Sequence, residues 1–300
     1  MALRLLTGTG LTRGTPGGGK ITSAGAPAGV PGYRLPGRDA TFATPFDLNL
    51  LGLWTLYLKE VRRFLKVWAQ TLMAPVITTL IFLAIFALAL HQTDKVIGGL
   101  TFLQFLSPGL IMMAVVQNAF SNTSSSLVIA KIQGNIVDYL MPPLSAGELL
   151  FGLAAGGVTR GLLVGATVYV SMLPFVALPL SHPWLILYYI LASSLMLSLL
   201  GVLAGVWSEK FDQIAAVTNF VVTPLSFLSG TFYNVEALPE GLRWVALANP
   251  FFYMIDGIRY AFTDHADGSV ALGVTLLAVV NVALWWWALA LFRRGYRLKA

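Results

Sequence analysis

The chain has 300 residues, 57% of them hydrophobic and 11% charged, whereas soluble domains average roughly 45–50% apolar and about 25% charged. No soluble core hides that much apolar surface while coating itself with polar groups, so the composition points to a bilayer as solvent, and the formal net charge of +6 is not read as nucleic-acid binding because the basic residues flank apolar runs. Cysteine is absent, which excludes disulfides, thiolate metal sites and cysteine chemistry, and His91, His182 and His265 fall in predicted loops, where no shared metal site is expected.

Residues 1–45 are rich in Gly, Pro and Thr and lack any apolar period. Such a segment cannot bury enough surface to offset its ordering entropy, so it reads as a disordered tail. The apolar run Leu3 to Leu6 is too short for a signal peptide and contains Arg4. Gly14 to Lys20 imitates a phosphate-binding loop, but Ile21 stands where Ser or Thr would bind Mg²⁺ and no strand precedes it. It is read as a decoy.

Over 48–68, Trp54, Leu58, Val61, Phe64, Leu65 and Trp68 recur at helical spacing. Lys59, Glu60, Arg62, Arg63 and Lys66 are assigned to the opposite face. This pattern predicts a basic amphipathic helix lying at the membrane interface. Six apolar spans follow, near 71–90, 103–123, 146–173, 184–206, 213–232 and 270–291. Each is long enough to cross roughly 30 Å of hydrocarbon at about 1.5 Å per residue. Gln117, Asn118 and Asn219 interrupt spans two and five, and polar groups there are expected to face protein or a pathway rather than lipid.

With the first helix cytoplasmic, the inner side gathers Lys59, Arg62, Arg63, Lys66, Lys131, Lys210, Arg293, Arg294, Arg297 and Lys299. The outer side holds Lys95, Arg243 and Arg259. This asymmetry obeys the positive-inside rule and predicts that both termini are cytoplasmic.

The connection 124–145 is expected to start as a polar loop at Ser124-Ser125-Ser126. A short helix carrying Leu127, Val128, Ile132, Ile136 and Tyr139 follows, interrupted near Gly134 and stopped by Met141-Pro142-Pro143. Ser145 and Glu148 form a capping box that starts the third span. Within that span Arg160 stands alone. A central Arg costs about 2.5–3.5 kcal/mol on the insertion scale. Its neighbouring Leu, Phe and Val residues offset that cost, and the charge is read either as a pathway or polar interhelical group or as paired with carbonyls or a carboxylate. The stretch 233–268 is aromatic, is broken at Asn249-Pro250 and is too short in either piece to span. It predicts two short helices dipping into the outer leaflet. Asp256, Arg259 and Tyr260 share one helical face and are expected to form a local clamp.

The motifs D-Y-L-M-P-P (Asp138 to Pro143), P-G-L-I-M-M (Pro108 to Met113), T-P-L-S-F-L-S-G-T-F-Y (Thr223 to Tyr233) and N-P-F-F-Y-M-I-D-G-I-R-Y (Asn249 to Tyr260) together resemble the ABC-2 type transporter permeases over about residues 48–298. The resemblance implies an all-α membrane protein with six transmembrane helices. It adds an N-terminal amphipathic interfacial helix and outer re-entrant helices between spans five and six, with 46–300 as one transmembrane domain. It also implies a bacterial inner-membrane permease, a homodimer embedded in lipid, paired with a separate ATPase subunit that binds ATP and Mg²⁺. This chain would bind no cofactor and export a lipid, polysaccharide or drug-like substrate. Arg62, Arg63, Lys66, Lys131, Ile132, Ile136, Asp138 and Tyr139 would couple to the ATPase, and Gln117, Asn118, Arg160 and Asn219 would line the pathway or interhelical contacts. Two alternatives are a secondary transporter or channel and an integral-membrane transferase. The first expects several midplane charges in broken helices. The second expects clustered acids or histidines, and outside the 48–68 helix and the 208–212 turn the sequence offers only the outer pair Asp264 and Asp267 as close acids.

Overall fold

A computed structural model describes residues 49–89, 96–97, 99–140, 142–235 and 238–295. The predicted tail 1–45, the Gly14–Lys20 decoy, His91, Lys95, Met141, Arg297 and Lys299 lie outside the described residues. The described chain is helical apart from a two-residue antiparallel ladder, Val96–Ile97 (β1) with Leu100–Thr101 (β2), turned at Gly99 with φ 84°. The turn is local, since glycine adopts that φ without strain, and the ladder leaves the all-α class unchanged.

The helices run α1 (Leu50–Leu65), α2 (Ala74–Ala89), α3 (Phe102–Ile132), α4 (Val137–Leu140), α5 (Ala146–Met172), α6 (Pro183–Trp207), α7 (Phe211–Val217), α8 (Thr223–Leu228), α9 (Glu240–Ala248), α10 (Pro250–Thr263) and α11 (Val270–Arg294). A π-turn, Ala69–Met73, leads into α2, and a second, Thr218–Val222, joins α7 to α8. Each precedes a proline, Pro75 or Pro224. Proline has no N–H for the carbonyl four residues back and its ring crowds that carbonyl. Those carbonyls belong to Thr71 and Phe220, inside the widened turns. The π-turns thus let two proline-bearing segments continue as helices.

Six helical segments are long and apolar enough to cross a membrane: Ala69–Ala89, Phe102–Ile132, Ala146–Met172, Pro183–Trp207, Phe211–Leu228 and Val270–Arg294. They coincide with the six predicted spans, with one clear difference. The second continues to Ile132, so Ser124–Ser126 are helix and not loop. Their hydroxyls do not compete with the helix. Ser124 and Ser125 return hydrogen bonds to the carbonyls of Phe120 (2.8 Å) and Ser121 (2.5 Å), so these two are satisfied within their own helix. The break comes at Gly134, φ 71°, as expected.

α3 is the central helix, packed against α5, α6 and α10. Small residues set its spacing. A Cβ on Gly201 would strike the Thr123 hydroxyl and lie 2.6 Å from the Phe120 carbonyl, and one on Gly205 would lie 2.9 Å from Leu127. α5 meets α6 in the same way, at Gly157 against Ser198 and Gly161 against Ser194. Backbones that approach this closely gain dispersion where lipid supplies no hydrophobic drive. The apolar exterior faces outward: Ile77, Ile81 and Ile85 form an exposed stripe on α2, and Val279, Val282 and Trp286 are exposed on α11.

The predicted capping box closes α5: Ser145 Oγ accepts from the Glu148 N–H at 3.3 Å, and Glu148 Oε2 accepts from the Ser145 N–H at 2.7 Å. The other Glu148 oxygen accepts the backbone N–H of Asn49 at 2.6 Å. Asn49 is the N-cap of α1, its side chain accepting from Gly52 N–H at 2.8 Å. One carboxylate therefore binds the starts of two helices.

Candidate functional site

Three polar constellations sit along the bundle. The first joins α1, α3 and α4. Leu56, Glu60 and Phe64 form the buried stripe of α1, so Glu60 leaves the solvent face to which its charge had assigned it. Gly156 of α5 permits this, because its hypothetical Cβ would lie 2.6 Å from Glu60 Cβ. The buried carboxylate is then fully engaged. Ser126 Oγ donates to it at 2.7 Å, Tyr139 Oη donates at 3.1 Å, and Arg63 Nη2 stands 3.1 Å away. Arg63 also donates to the Asn122 carbonyl (2.6 Å), Asn122 Oδ1 (3.0 Å) and Ser125 Oγ (3.2 Å). Burial, then the Glu60 charge, pushes the Tyr139 phenol up to about 12, so it stays protonated and donating at neutral pH. Lys59 Nζ lies 3.7 Å above the Tyr139 ring, a cation–π contact.

The residues expected to couple to a partner divide accordingly. Arg62, Lys66, Ile132 and Asp138 are exposed, while Tyr139 and Ile136 are buried. Arg63 is held in the network. Lys131 reaches α6, donating to the carbonyls of Gly205 (2.9 Å), Val206 and Ser208 (3.2 Å). It caps the free carbonyls at that helix end, where a cation also meets the negative pole of the helix dipole.

The second constellation is a cavity of about 630 Å³ bounded by α1, the first π-turn, α2, α3 and α5. Arg63, Gln70, Gln117, Asn118, Ser125 and Arg160 supply much of its polar lining. Arg160 Nη2 donates to Asn118 Oδ1 at 3.0 Å. Arg160 thus makes a polar interhelical contact and, among the described residues, meets neither a backbone carbonyl nor a carboxylate. Gln117, Asn118 and Arg160 come together as expected. Asn219 lies apart from them, exposed in the second π-turn and outside the lining of this cavity.

The third constellation lies at the other end of α3. Arg259 of α10 is fully buried. Its Nη1 stands 3.4 Å from Asp267 Oδ2 and 3.7 Å from Asp256 Oδ1, its Nη2 donates to the Gly230 carbonyl at 2.5 Å and its Nε to the Phe105 carbonyl at 3.3 Å. The guanidinium also stacks 3.8 Å from the Phe105 ring. Asp256 accepts the backbone N–H groups of Asp267 (2.7 Å) and Gly268 (2.9 Å). The expected clamp exists with Asp267 as its third member. Tyr260 is not part of it, since its ring stacks on His182 with centroids 5.3 Å apart, and His182 in turn meets Asp264 at 2.6 Å. The acid pair Asp264 and Asp267 is therefore divided between two separate contacts. Of the aromatic residues in this stretch, Phe251, Phe252, Tyr253 and Phe262 are buried and Trp244 of α9 is exposed, Phe262 stacking on Tyr169 of α5; α10 itself lies against α3, α6 and α11.

Six helices long and apolar enough to cross a membrane, with a polar cavity among them, define a multi-pass membrane protein. Residues 52–263 match the ABC-2 type transporter family, and the chain belongs to it. It is 37% identical to the inner membrane transport permease YadH of Escherichia coli (strain K12) over 254 residues, 84% of this chain and 99% of that protein. It is 25% identical to nodulation protein J of Rhizobium leguminosarum bv. viciae, over 82% of this chain and 95% of that protein. To nodulation protein J of Neorhizobium galegae it is 23% identical, over 86% and 98%.

Proposed function

We propose that this chain is the membrane-spanning subunit of an ATP-driven exporter of the bacterial inner membrane, acting as a homodimer with a separate ATPase subunit. ATP and Mg²⁺ would reside on that ATPase, and this chain would perform no covalent chemistry. The observation that carries the reading is the Glu60–Tyr139 junction. It binds α1 and α4 to each other and to α3 at one end of the bundle, while Arg62 and Asp138 on the same two helices and Lys66 at the C-cap of α1 remain exposed. A partner that presses on those charged surfaces moves both helices together, and the network passes the motion to α3.

α1 would lie in the inner interface, with exposed Trp54 and Trp68 at headgroup level beside Arg62 and Lys66. The inner side would hold both termini, in accord with the basic ends of α1 and α11. α9 and α10, of 9 and 14 residues, are too short to cross and would re-enter from the outer side. Gln117, Asn118 and Arg160 would line the path, and Asn219, exposed on the span with the least buried surface, would face the second copy. The test is purification of the tagged full chain from its native membrane. A stoichiometric ATPase subunit is expected, and its loss in Arg62→Glu/Lys66→Glu with the fold retained. Transport by the reconstituted chain alone, without nucleotide, would overturn the reading.

A further inference from the structure

The cavity between α1, α2, α3 and α5 has a chemical polarity that its neighbours do not satisfy. Its lining contains two arginines, Arg63 and Arg160, and no Asp or Glu. Arg63 has Glu60 behind it, but Arg160 has one hydrogen bond among the described residues, to the neutral amide of Asn118. The Nε atoms of both arginines are buried without a hydrogen-bond partner. Arg160 is partly buried, and a guanidinium held by one neutral acceptor leaves most of its five donors and its charge without a protein partner.

The lining also changes along its length. From Ile129 to Leu110 it follows α3, about 28 Å at 1.5 Å per residue. Ser125, Ser121, Asn118 and Gln117 lie toward one end, then Met113 and Leu110, with Phe82 of α2, toward the other. Gln70 and Thr71 enter the lining from the first π-turn, a local widening that often marks functional positions.

We propose that this cavity binds an anionic amphiphile, with a phosphate- or carboxylate-bearing head against Arg160 and Arg63 and an apolar chain along Met113, Leu110 and Phe82. Guanidinium donors bind such oxyanions with charge assistance, and the head would supply the counter-charge that Arg160 lacks. The inference deepens the transport reading by naming the chemistry of the cargo, but binding itself requires neither ATPase nor transport.

The test uses the purified full chain in neutral detergent, titrated with dioleoyl phosphatidic acid, dioleoyl phosphatidylcholine and inorganic phosphate. Binding is read by native mass spectrometry and by the shift in Tm. Phosphatidic acid is expected to bind at least about tenfold more tightly than either control. Arg160→Gln should remove that preference, Arg160→Lys should retain most of it, and Met113→Trp should weaken the lipid without changing the phosphate arm. The unliganded Tm of each variant reports whether it folds. Equal binding of phosphatidic acid and phosphatidylcholine, or undiminished binding to a folded Arg160→Gln, overturns the site. Inorganic phosphate binding as tightly as the lipid overturns the amphiphile. Co-purification of an ATPase with no lipid preference leaves the transport reading standing and removes only this inference.

Discussion

Glu60 shows how a single side chain reverses its expected role. Charged residues on an amphipathic helix are assigned to water by default, because an unpaired buried charge costs several kcal/mol. Here Ser126, Tyr139 and Arg63 supply three partners, and the first two lie on other helices, outside the pattern of α1. Arg63 alone is a visible i,i+3 partner. The junction is expected to behave as a unit. Tyr139→Phe should cost about 1.5–3 kcal/mol, the cost of one hydrogen bond to a charged group. Combined with Glu60→Gln it should show a coupling of about 0.5–3 kcal/mol in a double-mutant cycle, measured by thermal or denaturant unfolding in detergent. Strict additivity would mean that the two residues do not share a network.

At the scale of elements, local signals were legible and distant ones were not. The Ser145–Glu148 box and the stop at Gly134 depend on neighbours in sequence, and both stand where the residues placed them. The extension of α3 through the serine run did not, because polar composition imitates a loop and only the i−4 hydrogen bonds reveal a helix. The Arg259 lock was half legible. Asp256 is three residues away, but Asp267, Gly230 and Phe105 are brought in by folding. The tightest junction among these elements is α10 against α6. A Cβ on Gly257 would overlap the Tyr189 ring, and Tyr189 is itself fully buried. Gly257→Ala should therefore destabilise by about 1–3 kcal/mol through overpacking. Adding Tyr189→Leu, which vacates the contact, should recover part of that loss. A Gly257→Ala protein as stable as the parent would show that α10 has room to withdraw.

For the whole molecule, the six crossings were legible because twenty-residue apolar runs have one solvent that suits them. Orientation is a separate matter that charge asymmetry alone proposes. The chain contains no cysteine, so single cysteines can be introduced without a background. Glu209 and Glu240 are both exposed, the first between α6 and α7 and the second at the start of α9. In intact cells, a membrane-impermeant maleimide should label Glu240→Cys and spare Glu209→Cys until the membrane is opened. The reverse pattern would invert the topology and, with it, the side on which a partner engages α1.

Glu148 and Gly156 lie eight residues apart on α5, about 12 Å along its axis. Each holds α1: the first by clasping the Asn49 N–H, the second by seating Glu60 within van der Waals reach. A rod pinned at two separated points cannot pivot about either one. Force delivered on α1 would then displace α5 as a lever rather than bend a hinge, and Arg160, one turn beyond the second pin on the same helix, would travel with it.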